Sequence, residues 1–368
     1  MTFSTKGISL TQQNGDNSFM KYRILTDTDL TEWDDFVDNH PQGKYSQLGS
    51  YTTFVEKTYG LKGYSLGFYE NGKLCGILPS IAVKPLTQSK KLVSMPFADY
   101  GGMLLNNGII LEKDFLVTAL EMLLKASGAS HIELKGSKCS GGEVPDDLFF
   151  KQLDCENAIL KIVDTADMYK ALDHSIKKNL KRAEENNLSC EHEYNEVVLK
   201  DFFYPMYLHK MKEFGTPPHP LIFFLNMSRI LKGRVQLFTV KYNGDIASLL
   251  WGVKTRSSLN IIFILSNKQY WACRPNDFIH WEMIKSAHAD GCKAFDFSVA
   301  RYEGQKKYKE KWGTSFYEYS HYFYPSTKKY PNTPAFGKPA LLNRLWSKYM
   351  PERLASLIGP VIRKRIGR

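Results

Sequence analysis

The sequence predicts a layered α/β fold made of two tandem copies of one small unit, each with a mixed central sheet. Three observations carry this prediction. The Asn-Gly pairs Asn71-Gly72 and Asn243-Gly244 sit between apolar runs at similar places in the two halves. Both turn positions must accept positive φ, so Asn-Gly is the strongest short-range hairpin signal. Each half then continues through strand, helix and strand into a basic loop, as an internal duplication would. Finally, 368 residues suffice for two ordinary domains.

Taken in order, residues 1–20 read as a loose polar tail, with Met20 as an alternative natural start. The first domain covers 21–165. Apolar residues at Leu30, Trp33, Phe36 and Val37 have helical spacing. A second helix follows around Gly49 to Tyr59, then the first Asn-Gly hairpin. The run from Leu92 to Leu105 reads as strand, irregular loop and strand. Asp99, Tyr100, Gly101 and Gly102 lie on that loop, and adjacent glycines admit close approach of a ligand or of another strand. A helix spans 112–127, and His131–Leu134 is a short strand.

The second domain covers 166–335. Met168, Leu172, Ile176, Leu180 and Ala183 form one apolar stripe of a helix whose polar side carries Lys177, Lys178, Lys181 and Arg182. Further helices follow at 201–214 and 221–231, separated by a Gly/Pro-rich loop. Then come the second hairpin, a strand at 259–265, a helix from Asn276 to Asp290 just after Pro275, and a strand at 294–298. This last strand opens the segment Asp296–Gly313, where Arg301, Lys306, Lys307, Lys309 and Lys311 gather at a strand end. Fixed cations there suit a phosphate or a carboxylate. Tyr308 and Trp312, at i and i+4, bury together on a short helix. The segment 336–368 is a basic amphipathic helix with an apolar stripe of Leu354, Leu357, Ile358, Val361 and Ile362. It either lies on an anionic membrane or packs on the domain.

Hydrophobic residues at 43% and aromatics at 13% exclude a disordered chain. A net charge of +11, from 49 Lys+Arg and 38 Asp+Glu, favours an anionic partner: nucleic acid, a phosphorylated cofactor or a membrane surface. The six cysteines include no Cys-x-x-Cys pair, and there is no His-Glu-x-x-His. No metal is expected, and scattered thiols indicate a reducing, cytoplasmic compartment. No apolar run is long enough to span a membrane, and the N-terminus carries no signal pattern.

Several segments resemble a known family. They are Leu92 to Gly102, Phe214-Gly-Thr-Pro217, Tyr270-Trp271, and Phe295-Asp-Phe297 followed by Tyr308-Lys309 and Trp312-Gly313. Together with the basic helix Ser175–Arg182, they resemble the FemAB-related, peptidoglycan-bridge type of GNAT (acyl-CoA N-acyltransferase fold) proteins, in the branch associated with exopolysaccharide or PEP-CTERM export. The resemblance covers roughly residues 21–330. It implies two tandem GNAT-like domains and transfer of an acyl or aminoacyl group to an amine on a cell-envelope or exopolysaccharide precursor. The donor is acyl-CoA, aminoacyl-tRNA or another activated acyl group, and the acceptor is a small-molecule or lipid-linked amine. The alternative is a non-catalytic GNAT scaffold that serves export of polysaccharide or protein. No nucleic acid other than tRNA is expected to bind specifically.

Such transfer needs orientation, removal of a proton from the attacking ammonium, and stabilisation of the tetrahedral oxyanion. The resemblance assigns Lys309 to phosphate binding or oxyanion stabilisation and Asp99 to holding or deprotonating the amine. It places Arg301 beside them as a third catalytic candidate. Ser298 stands where the family has glycine. Arg274, Asn276 and Lys306 are candidates for the cofactor, and Tyr100, Lys178, Arg182 and Tyr308 for the substrate. The protein is expected in the cytoplasm, at the inner face of the membrane if 340–368 engages lipid.

Overall fold

The computed structural model describes residues 12–14, 18–86, 88–327, 330 and 341–367. The chain falls into two compact units. The first comprises Met1–Asp154, Tyr319–Thr333 and Lys364–Arg368; the second comprises Cys155–Glu318 and Pro334–Arg363.

In the first unit, β1 (Ser18–Ile24) leads through α1 (Leu30–Asn39) and α2 (Gly49–Tyr59) to the hairpin β2 (Leu66–Glu70) and β3 (Lys73–Leu78). Asn71 and Gly72 take φ of 49° and 81°, as the turn requires. Then follow β4 (Ile81–Val83), β5 (Lys91–Val93), β6 (Met103–Leu105), α3 (Lys113–Ser127) and β7 (Ile132–Gly136). One sheet runs Gln12–Asn14, β1, β2, β3, β6, Cys139–Ser140. A second ladder joins residues 320–324 to β7, β7 to β5, and β5 to β4. The helix α3 buries Phe115, Leu116, Ala119, Leu120 and Leu123, a single helical face, over Tyr22 and Phe68. The glycines of the loop before β6 serve backbone contact: a Cβ on Gly101 would lie 2.2 Å from the Ser94 carbonyl oxygen.

The second unit begins within β8 (Phe150–Lys161) and continues through α4 (Thr165–Ala171), α5 (His174–Glu185), α6 (Tyr204–Glu213) and α7 (Leu221–Ile230). The hairpin β9 (Val235–Tyr242) and β10 (Asp245–Lys254) turns at Asn243-Gly244, both at positive φ. After it come β11 (Ser258–Ser266), α8 (Pro275–Ala289), β12 (Ala294–Ala300), α9 (Glu303–Glu310), β13 (Ser315–Tyr324), α10 (Leu341–Tyr349) and α11 (Glu352–Ile366), of which β13 from Tyr319 and α11 from Lys364 are counted with the first unit. The sheet order is β9-β10-β11-β12-β8, with β11 and β12 parallel and the other pairs antiparallel. Ile176, Leu180 and Ala183 of α5 and Ile279, Met283 and Ile284 of α8 join one core with Phe295, Phe297 and Trp312.

The division of the chain differs from the sequence expectation at three places. The first unit ends at Asp154, inside a strand, not near residue 165, and 319–333 return to it. The reason is pairing: residues 156–161 pair with β12, whereas residues 320–324 pair with β7. The change in pattern near 165 marks only the start of α4. Residues 18–20 of the expected tail belong to β1, where Met20 is fully buried and Gln12–Asn14 pair back on them. The rest of that tail, together with 336–340 of the C-terminal segment, lies outside the described residues.

Candidate functional site

The site lies wholly in the second unit and begins where β11 and β12 part. Their parallel register covers only Ser258–Asn260 against Ala294–Asp296. Past that point Ser298 takes φ of +63°. Glycine adopts this region freely, while for other residues it costs about 1 kcal/mol. Side chains hold the distortion in place. Asp296 Oδ1 accepts the Ser298 N–H at 2.8 Å, and the Lys309 ammonium donates to the carbonyl oxygens of Ser298 and Val299 at 2.9 and 2.8 Å.

Beside the parting strands α8 starts. Pro275 fits the first helical position because it loses no hydrogen bond there. Arg274, at φ +63°, caps the helix. An open cavity of about 450 Å³ lies here, lined by Ile264, Trp271, Arg274–Asp277, His280, Tyr302, Gly304, Gln305 and Tyr308. The helix N-terminus and the exposed Arg274 give its rim a positive character. Asn276 Oδ1 accepts from Ser248 Oγ at 3.1 Å and its Nδ2 donates to Ser266 Oγ at 3.2 Å, fixing α8 to β10 and β11.

A chain of polar groups forms the inner wall. Asp277, 6% exposed, accepts from Tyr308 Oη and from Asn179 Nδ2, each at 2.9 Å. Burial pushes its carboxyl above the usual range; the two donors oppose this without cancelling it. His280 Nδ1 lies 2.6 Å from the Asn276 carbonyl oxygen and 3.2 Å from Tyr308 Oη. A carbonyl only accepts, so Nδ1 carries the proton and Nε2 keeps its lone pair. The imidazole stacks on Phe297 with ring centres 5.3 Å apart. Burial pushes its pKa down to about 4, so it is neutral at physiological pH. Burial and the Asp277 charge raise the Tyr308 phenol well above its ordinary value. The wall thus offers a neutral imidazole, a phenol that keeps its proton and a carboxyl of raised pKa, a set suited to moving protons.

Of the residues expected from sequence, Arg274, Asn276 and Tyr308 meet at this cavity. Lys309 sits next to it but is buried, its ammonium on strand carbonyls. Arg301 stands between β12 and α9, where its backbone N–H donates to Gln305 Oε1 at 2.9 Å. Lys306 pairs with Glu156 at 2.5 Å and is not part of the lining. Lys178 and Arg182 are exposed on α5 and also outside the lining; their neighbour Asn179 makes the inward contact. Asp99 and Tyr100 belong to the first unit, where the Asp99 carbonyl accepts from Tyr319 Oη at 2.5 Å and the Tyr100 carbonyl from Ser46 Oγ at 2.8 Å. Sequence reasoning passed over Asn179, Asp277 and His280. The i, i+3 spacing of Asp277 and His280, directly after a Pro-started helix, is the signal that could have found two of them.

A partly unzipped pair of parallel strands, with a cavity at the adjoining helix start, frames the site. Residues 173–310, from α5 through α9, match the family model of the acetyltransferase (GNAT) domain. The fold also matches solved structures at low identity. FemX is 14% identical, with a TM-score of 0.62, over 83% of this chain and 97% of that one. The C-terminal domain (DUF2156) of a lysylphosphatidylglycerol synthetase from Agrobacterium fabrum is 12% identical, with a TM-score of 0.53, over 80% and 91%. A tandem GNAT protein from the clavulanic acid biosynthesis pathway is 9% identical, with a TM-score of 0.50, over 84% and 99%. No curated protein matches. The match to the GNAT model lies within the second unit, and the chain shares its fold with FemX and with a tandem GNAT protein.

Proposed function

We propose that this protein is an acyl- or aminoacyltransferase that binds an activated acyl donor at the cavity of the second unit and passes the acyl group to an amine of a cell-envelope precursor. The observation that carries this reading is the Asn179–Asp277–Tyr308–His280 chain on the cavity wall, within the GNAT-matching segment. Acyl-CoA and aminoacyl-tRNA both present an acyl carbonyl on a phosphate-bearing leaving group, which suits the helix start and Arg274. In the reaction the amine nitrogen bonds to the acyl carbon. The bond from that carbon to the leaving sulfur or oxygen breaks, and one proton leaves the nitrogen while the leaving group takes one up. His280 Nε2 is the group we assign to the first proton, and the Tyr308 phenol, with Asp277 behind it, to the second. The envelope acceptor rests on the motif resemblance and on the FemX-like fold.

The test is acyl transfer from labelled acetyl-CoA and from labelled aminoacyl-tRNA to an extract of envelope precursors. Label is expected in an amide product, with loss on Tyr308→Phe while the fold is kept. Absence of product from either donor would favour a non-catalytic scaffold.

A further inference from the structure

The helix α10 and residues 352–363 of α11, all in the second unit, present apolar side chains to solvent in an ordered way. On one side α11 is anchored. Ala355 and Gly359 are buried, a Cβ on Gly359 would lie 2.4 Å from Pro218 Cδ, and Arg363 Nη1 donates to the Pro217 carbonyl at 2.9 Å. The opposite side carries Leu354, Leu357, Ile358 and Val361, which are 50%, 71%, 40% and 62% exposed. Their i, i+3, i+4, i+7 spacing makes them one stripe two turns long. In α10, Leu345 and Tyr349 are 45% and 65% exposed, beside exposed Arg344 and Lys348. Residues 341–367 hold six Lys+Arg and a single acid, Glu352, which lies 2.9 Å from His209 Nδ1.

We propose that this face docks on an anionic lipid bilayer. The four aliphatic side chains of α11 would enter the boundary between headgroups and acyl chains, and Arg344, Lys348 and Arg353 would meet lipid phosphates. Charge complementarity selects the partner: an apolar stripe framed by cations matches a surface that is apolar below and anionic above. No helix among the described residues is long and apolar enough to cross a membrane, and the buried side of α11 fixes the helix so that its stripe faces outward. This inference does not rest on the acyl-transfer reading.

The test is flotation of the full chain with phosphatidylcholine vesicles, with and without phosphatidylglycerol. The wild type is expected to float with the anionic vesicles and to release as salt screens the charges. Leu357→Glu/Val361→Glu and Arg344→Glu/Arg353→Glu should each weaken binding by about ten-fold or more. All four side chains are exposed, so melting temperatures should not change, and the charge pair reads the proposal independently should the apolar pair misfold. The proposal is overturned by an absence of flotation with anionic vesicles, or by folded variants that bind as the wild type does. It is overturned equally if light scattering shows a dimer that Leu357→Glu/Val361→Glu splits, since the stripe would then cover a second copy of the chain.

Discussion

The Lys309 ammonium donates to the Ser298 carbonyl oxygen at 2.9 Å, bridging α9 to the left-handed residue of β12. A buried lysine held this way maintains the parting of β11 and β12 at the cavity. Lys309→Ala leaves the carbonyls of Ser298 and Val299 without that donor, and an unmet buried group costs about 1–3 kcal/mol. The expected outcome is a loss of about 2–4 kcal/mol in denaturant unfolding. Unchanged stability with activity abolished would instead place the ammonium in direct contact with substrate.

Tyr308→Phe removes the phenol's hydrogen bond to the Asp277 carboxylate and leaves that of Asn179. Stability should fall by about 1 kcal/mol, the net worth of a hydrogen bond. Turnover should fall by about 10²-fold or more, the typical contribution of a positioned acid. Donor affinity should stay within about two-fold, because the ring remains; parallel kcat and KM measurements separate the two effects.

His280 is held neutral by burial, with a pKa of about 4 against an ordinary 6.5. The unfolded chain binds this proton first, so the native state loses stability as pH falls from 6.5 to about 4 and loses no more from this group below that. The ring protons of His280, followed by NMR, should titrate near 4. A midpoint near 6.5 would mean that the imidazole is hydrated.

The first unit holds a buried charged cluster. Lys91 Nζ lies 2.6 Å from Glu133 Oε2, His321 Nδ1 lies 2.9 Å from Glu133 Oε1, and His321 Nε2 lies 3.3 Å from Asp154 Oδ2. Burial alone would raise the Glu133 carboxyl; the His321 hydrogen bond and the Lys91 charge outweigh it and hold it well below 4.5. Its contribution is therefore complete above pH 4.5 and is lost as pH falls toward the depressed value. Glu133→Gln should cost about 3–5 kcal/mol at neutral pH by stranding buried charges. In acid titrations of stability its gap to the wild type should narrow below 4.5. A gap that does not change with pH would show that Glu133 is protonated in the native state.

Much of the fold was legible because local chemistry and tertiary position agree. Both Asn-Gly turns take the positive φ that those residues favour, and the α5 stripe buries Ile176, Leu180 and Ala183. Arg274, Asn276 and Tyr308, singled out by a helix start and by an aromatic in a basic run, line one cavity. The rest was hidden for physical reasons. Asn179 lies among basic residues of a surface helix, and only the packing of α5 against α8 turns it to Asp277. His280 reads as an ordinary helical residue until the Asn276 carbonyl fixes its proton. Lys309 reads as a free cation, yet the distortion at Ser298 draws it inward. The unit boundary falls inside β8, a continuous strand whose residues 156–161 pair with β12, and no change in composition marks it.

The most direct test of the account is calorimetric titration of acetyl-CoA and of an aminoacyl-tRNA, against a polyphosphate control, into the wild type and Gly304→Trp. Gly304 lines the cavity, and its Cβ would meet nothing nearer than the Tyr302 ring at 3.6 Å, so the bulk blocks the cavity without straining the fold. The account predicts that at least one donor binds more tightly than polyphosphate and that Gly304→Trp abolishes this binding. Binding no tighter than polyphosphate for both donors, or binding that survives Gly304→Trp, would contradict it.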